Sequence, residues 1–186
     1  MFLFSFYCRG ISWSDLVQLK MSNIDGEMIR YSRQKTKNNG VPNEYFIKIN
    51  KELSDIINLY NINKSQDDYL FPVLSKSSPE KTRKQIKDNL KTYNKNIGKI
   101  CQLCNITHNF NITSKVSRHS WASIAIEIGE DIPITSEGCG HTNISTTMIY
   151  VKTNNEEVHK ANDRIINSIN SMSNKLNHTI TPNIYN

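Results

Sequence analysis

Thr135-Ser136-Glu137-Gly138-Cys139-Gly140-His141-Thr142-Asn143-Ile144-Ser145-Thr146-Thr147-Met148-Ile149-Tyr150 is the stretch on which the reading of this chain turns. Gly140-His141 closes a short helix expected near 133–138, because a glycine just past the last helical residue takes the backbone conformation that stops a helix. Asn143 or Ser145 begins the next helix, 143–149, as residues whose side chains accept from free amides in a first turn. Tyr150 then stands at the end of that second helix, nine residues after His141 and just beyond the Thr146-Thr147 pair.

Outward from this stretch the chain reads as a succession of helices. Residues 114–128, which contain Arg118, His119 and Trp121, fit one helix, with Trp121 expected in the core. Ser78-Pro79-Glu80 is a cap followed by proline at the first helical position, where its missing amide costs nothing. From there Ile86, Leu90, Tyr93, Ile97, Ile100 and Cys104 recur at alternating spacings of four and three, an apolar helical stripe. Lys84, Lys87, Lys91 and Lys95 project from the other side; they fit a solvated face or contact with a DNA backbone. After Tyr150 a last helix, 155–172, aligns Val158, Ala161, Ile165, Ile169 and Met172, and the polar, aperiodic residues 173–186 read as a loose tail.

The N-terminal third differs in period. Residues 1–9 read as the end of a buried helix, and Ser12 caps a second helix over 12–19 with Asp15 in a capping-box position. Met28–Arg33 and Glu44–Ile49 alternate every second residue around Lys37-Asn38-Asn39-Gly40, a hairpin signal. A helix at 51–60 and an extended Tyr69–Pro72 follow. The fold class expected is mainly α with a small antiparallel β-sheet (α+β), the domain covering 1–173 and a flexible tail 174–186.

Composition narrows the function classes. The chain has 186 residues, 37% hydrophobic and 22% charged, which gives enough apolar surface for one core and argues against wholesale disorder. A net charge of +6 favours a polyanionic partner. The apolar Phe2–Cys8 run is far too short to span a bilayer and lacks the flanks of a signal peptide, so a cytoplasmic protein is expected. Cys8, Cys101, Cys104 and Cys139 read as free thiols. Cys101-x-x-Cys104 with His108 lacks an evident fourth ligand, and core cysteines are the better account than a zinc site.

The 135–150 stretch closely resembles the segment of tyrosine recombinases (the phage integrase family) that runs from a Gly-His pair through a Thr-Thr pair to the nucleophilic tyrosine. Thr113-Ser114-Lys115-Val116-Ser117-Arg118-His119 is similar to the family's second-arginine motif, usually His-x-x-Arg-His, with Lys115 where the first histidine usually stands. Tyr7-Cys8-Arg9-Gly10-Ile11-Ser12 resembles the first-arginine motif, Asp15 taking the family's acidic position after about three extra residues. That spacing looks like integrases of mobile elements from Bacteroides-type bacteria. Arg33-Gln34-Lys35-Thr36 resembles the hairpin holding the family's catalytic lysine.

The resemblance implies site-specific cleavage and rejoining of double-stranded DNA, with no cofactor and no metal. Arg9 and Arg118 would clamp the non-bridging phosphate oxygens and His141 would add a hydrogen bond to them. Tyr150 would be the nucleophile, Lys35 the general acid, and Lys115 a substitute for the usual histidine. It further implies a tetramer on DNA, with the last helix docking onto a neighbouring subunit or packing on its own domain, and a nucleoid-associated enzyme. Because family members carry a DNA-clamping helical domain before Arg9, the chain is expected to be N-terminally truncated. Two other readings are a DNA-binding remnant that has lost catalysis and a type IB topoisomerase-like nickase.

Overall fold

The computed structural model describes residues 1–33, 44–106, 112–151 and 155–179. Helices α1 (Phe2–Tyr7) and α2 (Trp13–Leu16) lead through a 3-10 turn into strands β1 (Ile24–Asp25), β2 (Met28–Ser32) and β3 (Glu44–Lys48). Helices α3 (Lys51–Tyr60), α4 (Pro79–Leu103), α5 (Val116–Glu127), α6 (Ile132–Gly138), α7 (Ser145–Met148) and α8 (Asn155–Thr179) complete the order. The chain forms two compact units, Met1–Met148 and Ile149–Asn186.

In the first unit the three strands pair antiparallel in the order β1-β2-β3, with Ile29 opposite Ile47 and Tyr31 opposite Tyr45. Side chains two apart share a face, so buried Ile29 and Ile47 turn to the core, and Tyr31 and Tyr45 stack beside them at 5.5 Å. The same alternation carries one residue further, to Arg33. The core joins Phe4 of α1, Leu16 and Val17 around α2, Leu53 of α3, and Leu70-Phe71. Phe71 is its hub, with the rings of Phe4 and Tyr60 each edge-on at 5.0 Å. Removing the buried Phe71 ring would cost about 3–5 kcal/mol.

Most expected elements stand within a residue or two of their ends. Asn50 caps α3 by accepting from the Leu53 amide at 2.9 Å, and Ser78 caps α4 as read. The helix expected over 12–19 is shorter: α2 ends at Leu16 as the backbone turns into Lys20, which bridges to Tyr69. Ile100 and Cys104 are exposed and Cys101 is buried in their place. A straight helix drifts about 20° per seven residues, so a stripe that begins at Ile86 has rotated off the core by Ile100. Trp121 is half-buried and packs on α6, where a Cβ at Gly138 would lie 2.6 Å from its ring.

In the second unit α8 reaches Thr179, past Ser173, where the tail was expected to begin. No proline or glycine interrupts 173–179, and extending a formed helix gains one backbone bond for each residue fixed. Val158, Ile165, Ile166, Ile169 and Met172 on α8 are exposed. Among the described residues no helix is long and apolar enough to cross a membrane.

Candidate active site

Two helix ends place the candidate residues of the first unit. At the end of α1 the Gly10 amide donates to the Ser5 carbonyl at 2.8 Å and the Arg9 amide to Phe6 at 3.0 Å. That paired pattern is the Schellman closure, and it puts Arg9 at the left-handed position with φ +55°. Glycine normally stands there, and an arginine costs about 1–2 kcal/mol of backbone strain. α6 ends the same way: Gly140 (φ +63°) donates to Glu137 at 2.7 Å and His141 to Ser136 at 2.9 Å. The closure of α1 thus presents Arg9, and the closure of α6 presents His141.

Arg9 and His141 line one cleft of about 650 Å³ together with Tyr45, Ser136 and Gly140. Arg118 comes from the first turn of α5 and ties the two helix ends together. Its Nε donates to the Gly10 carbonyl at 2.7 Å and one terminal nitrogen donates to the Cys139 carbonyl at 3.0 Å. A cation suits the carbonyl end of α6, although a helix this short has a weak dipole. Close approach makes the tie possible: a Cβ on Gly10 would lie 2.4 Å from the Arg118 Cα. Nearby, Ser5 Oγ donates to the Ile11 carbonyl at 2.9 Å and meets Ser117 Oγ at 2.8 Å, fixing α1 against α5.

Thr147 orients His141. Its buried Oγ1 lies 2.8 Å from Nδ1, which leaves Nε2 as the outward nitrogen. Burial lowers the His141 pKa first, and the positive charges of Arg118, Arg33 and His119 lower it further. His119 is lowered in the same direction by burial, then by Lys115 and Arg118. Burial and Arg33 also pull Arg118 down, although a guanidinium stays protonated throughout the physiological range. Burial and the Asp15 charge push the Tyr31 phenol up, so it remains neutral beneath the cluster.

Of the six residues singled out in sequence, the first unit brings Arg9, Arg118 and His141 together through the two helix ends. Lys115 is exposed at the N-terminal cap of α5. Tyr150 follows α7 by two residues and belongs to the second unit. Lys35 and His108 lie outside the described residues. Cys8, Cys101 and Cys139 are buried and Cys104 is exposed; among the described residues no group of three or more metal-ligating side chains is placed to hold an ion.

Sequence reasoning passed over Arg33 as a site residue. Its guanidinium donates to the Gly140 carbonyl, lies 4.0 Å from the buried Asp15 carboxylate, and stands 5.7 Å over the Tyr45 ring. One signal was available: Ile29, Tyr31 and Arg33 fall on the same face of the strand.

A mainly helical domain with a small antiparallel sheet, whose helix ends set Arg9 and His141 in one cleft and are tied together by Arg118, defines the class. The chain belongs to the phage integrase family, whose model matches residues 2–157. It is 29% identical over 161 residues to the tyrosine recombinase XerA of Thermococcus kodakarensis, covering 85% of this chain and 52% of that protein. The XerA of Pyrococcus horikoshii is likewise 29% identical over 160 residues, covering 83% and 50%. The chain therefore spans about half the length of the curated relatives it matches. Among solved structures, a XerA recombinase superposes with a TM-score of 0.55 at 20% identity, over 86% of this chain and 55% of that one. The Tn1549 transposon integrase, solved with transposon right end DNA, gives 0.63 at 16% identity, over 89% and 57%. These two likenesses establish the fold.

Proposed function

We propose that this chain is the catalytic domain of a site-specific DNA recombinase that cleaves and rejoins double-stranded DNA through a tyrosine. The observation that carries the reading is the cleft lined by Arg9 and His141, with the Arg118 guanidinium tied to the same two helix ends. A phosphodiester under attack gathers charge on its non-bridging oxygens, and preorganised guanidiniums stabilise that charge without moving. Tyr150 Oη forms a bond to phosphorus as the bond from phosphorus to the 5′-oxygen breaks, leaving the DNA as a 3′-phosphotyrosine. The tyrosine proton passes to water during attack, and Lys35 supplies the proton that the 5′-oxygen takes up. His141 donates from Nε2 to a non-bridging oxygen, and Lys115 stands at the entrance to α5 where the family usually has histidine. Attack by the freed 5′-hydroxyl of a second strand reverses the step, so no high-energy cofactor is consumed.

The partner is DNA, which fits the net charge of +6 and the DNA-bound state in which the transposon integrase was solved. Action on chromosomal DNA places the enzyme with the nucleoid in the cytoplasm. The exposed apolar stripe of α8 is suited to a second copy of the chain, consistent with a tetramer on DNA.

A pool of nicked suicide duplexes with a randomised core tests the chemistry. The full chain should yield an SDS-stable protein–DNA adduct, whose sequencing returns the preferred site, and Tyr150→Phe should yield none. An adduct that survives Tyr150→Phe, or no adduct from the unmodified chain, would overturn the proposal.

A further inference from the structure

Arg118 and Arg33 divide the end of α6 between them: one donates to the Cys139 carbonyl, the other to the next carbonyl, that of Gly140. The peptide that follows the second carbonyl belongs to His141. Arg33 is held from behind by Asp15, whose carboxylate is 3% exposed and also accepts from Ser12 Oγ at 2.6 Å. It is held from the side by the Tyr45 ring, and its own side chain is 12% exposed. Gly140 leaves no room for slack, since a Cβ there would lie 2.6 Å from the Tyr45 hydroxyl and 2.9 Å from the Arg33 guanidinium.

We infer that Arg33 is a positioning residue for His141: with Asp15 as its anchor, it fixes the Gly140-His141 peptide and thereby the imidazole that faces the cleft. The inference rests on the role given above to His141. Three separate elements meet at this guanidinium: α2 through Asp15, the β2 end through its own backbone, and the turn after α6 through Gly140. A lysine in its place keeps the charge but forfeits the planar fork that can serve a carboxylate and a carbonyl at once. Arg33 is also one of the charges facing His141, alongside Arg118 from α5 and His119 from the same helix.

The test uses the full chain with labelled histidines, the His141 signal being identified by its loss in His141→Gln. NMR titration needs no DNA, so its outcome stands whether or not the adduct assay succeeds. Arg33→Met should move the His141 titration to higher pH. Arg33→Lys should leave it close to that of the unmodified chain, because the charge remains. In the suicide-duplex assay both variants should slow adduct formation on the order of 10- to 100-fold, with DNA retention on a filter unchanged. A merely structural arginine would lower the melting temperature in Arg33→Met and leave the His141 titration where it was, and that result overturns the inference. Should Arg33→Met fail to fold, Arg33→Lys decides: an unchanged adduct rate overturns the inference and a slowed one upholds it. Absence of adduct from the unmodified chain counts against the recombinase reading, while the titration still tests the influence of the Arg33 charge on His141.

Discussion

Replacing Gly10 with alanine probes the close approach on which the Arg118 tie depends. The added Cβ would stand 2.4 Å from the Arg118 Cα and 2.5 Å from its Cβ. Non-bonded carbons rest about 3.5–4.0 Å apart, so α1 and α5 must separate by about 1 Å or more. The backbone at Gly10 has φ +72°, which adds about 1–2 kcal/mol for any residue with a side chain. Overpacking in a well-filled contact adds about 1–3 kcal/mol, for a total of roughly 2–5 kcal/mol. In a domain of this size that corresponds to a fall of roughly 5–15 °C in melting temperature. Gly26→Ala supplies the control, because Gly26 also has positive φ (+55°) but a Cβ there meets nothing within 4 Å. It should lose the backbone term alone. Urea unfolding of the two variants beside the parent measures the difference, and the adduct assay should show Gly10→Ala on the order of 100-fold slower as Arg118 is displaced. Equal destabilisation by the two alanines would refute the close packing of Gly10 on Arg118.

The remaining predictions concern His141. Its folded pKa lies below the ordinary value, so the unfolded chain binds the proton more readily. Its contribution to stability is therefore complete above about pH 6.5 and is lost as pH falls from there through the folded value. Denaturant unfolding across that window should show stability falling toward acid, with a shallower slope in His141→Gln; an identical slope would contradict the burial of the imidazole. Thr147→Val removes the partner of Nδ1 while keeping the shape of the buried side chain, and should cost about 1 kcal/mol of stability. It should also slow adduct formation, with DNA retention unchanged, as the imidazole loses its fixed orientation.

Local signals were legible and long-range ones were not. The helix-stopping glycine at Gly140, the caps Ser12 and Ser78, and the hairpin alternation each depend on neighbours within a few residues, and each marks an element the structure contains. The order of Arg9, Arg118 and His141 was legible because the motifs around them are contiguous. Arg33 was overlooked as a site residue because its defining contacts, with Gly140 and Asp15, are with residues distant in sequence. Arg9 conceals its own conformation, since an arginine at a left-handed helix closure has no sequence mark that distinguishes it from one on an ordinary helix. The full extent of α8 was hidden by composition: Asn174, Asn177 and His178 are indifferent helix formers, and only continuation from an existing helix makes them helical.

The bonds from Arg118 to Gly10, from Arg33 to Gly140 and between Ser5 and Ser117 join residues 108, 107 and 112 positions apart. Bringing together the ends of a loop that long costs on the order of 4 kcal/mol in chain entropy, and the first such contact bears most of it. Once it has formed, Ser5 and Ser117 close over residues already near one another, and Arg33 reaches Gly140 across a shorter loop. The cationic cluster is therefore cooperative in assembly: a ribosome-bound chain that has not yet released α6 can hold none of the Gly140 contacts. Partly folded forms lack these ties, and the arrangement of the two helix ends arrives together with the finished fold.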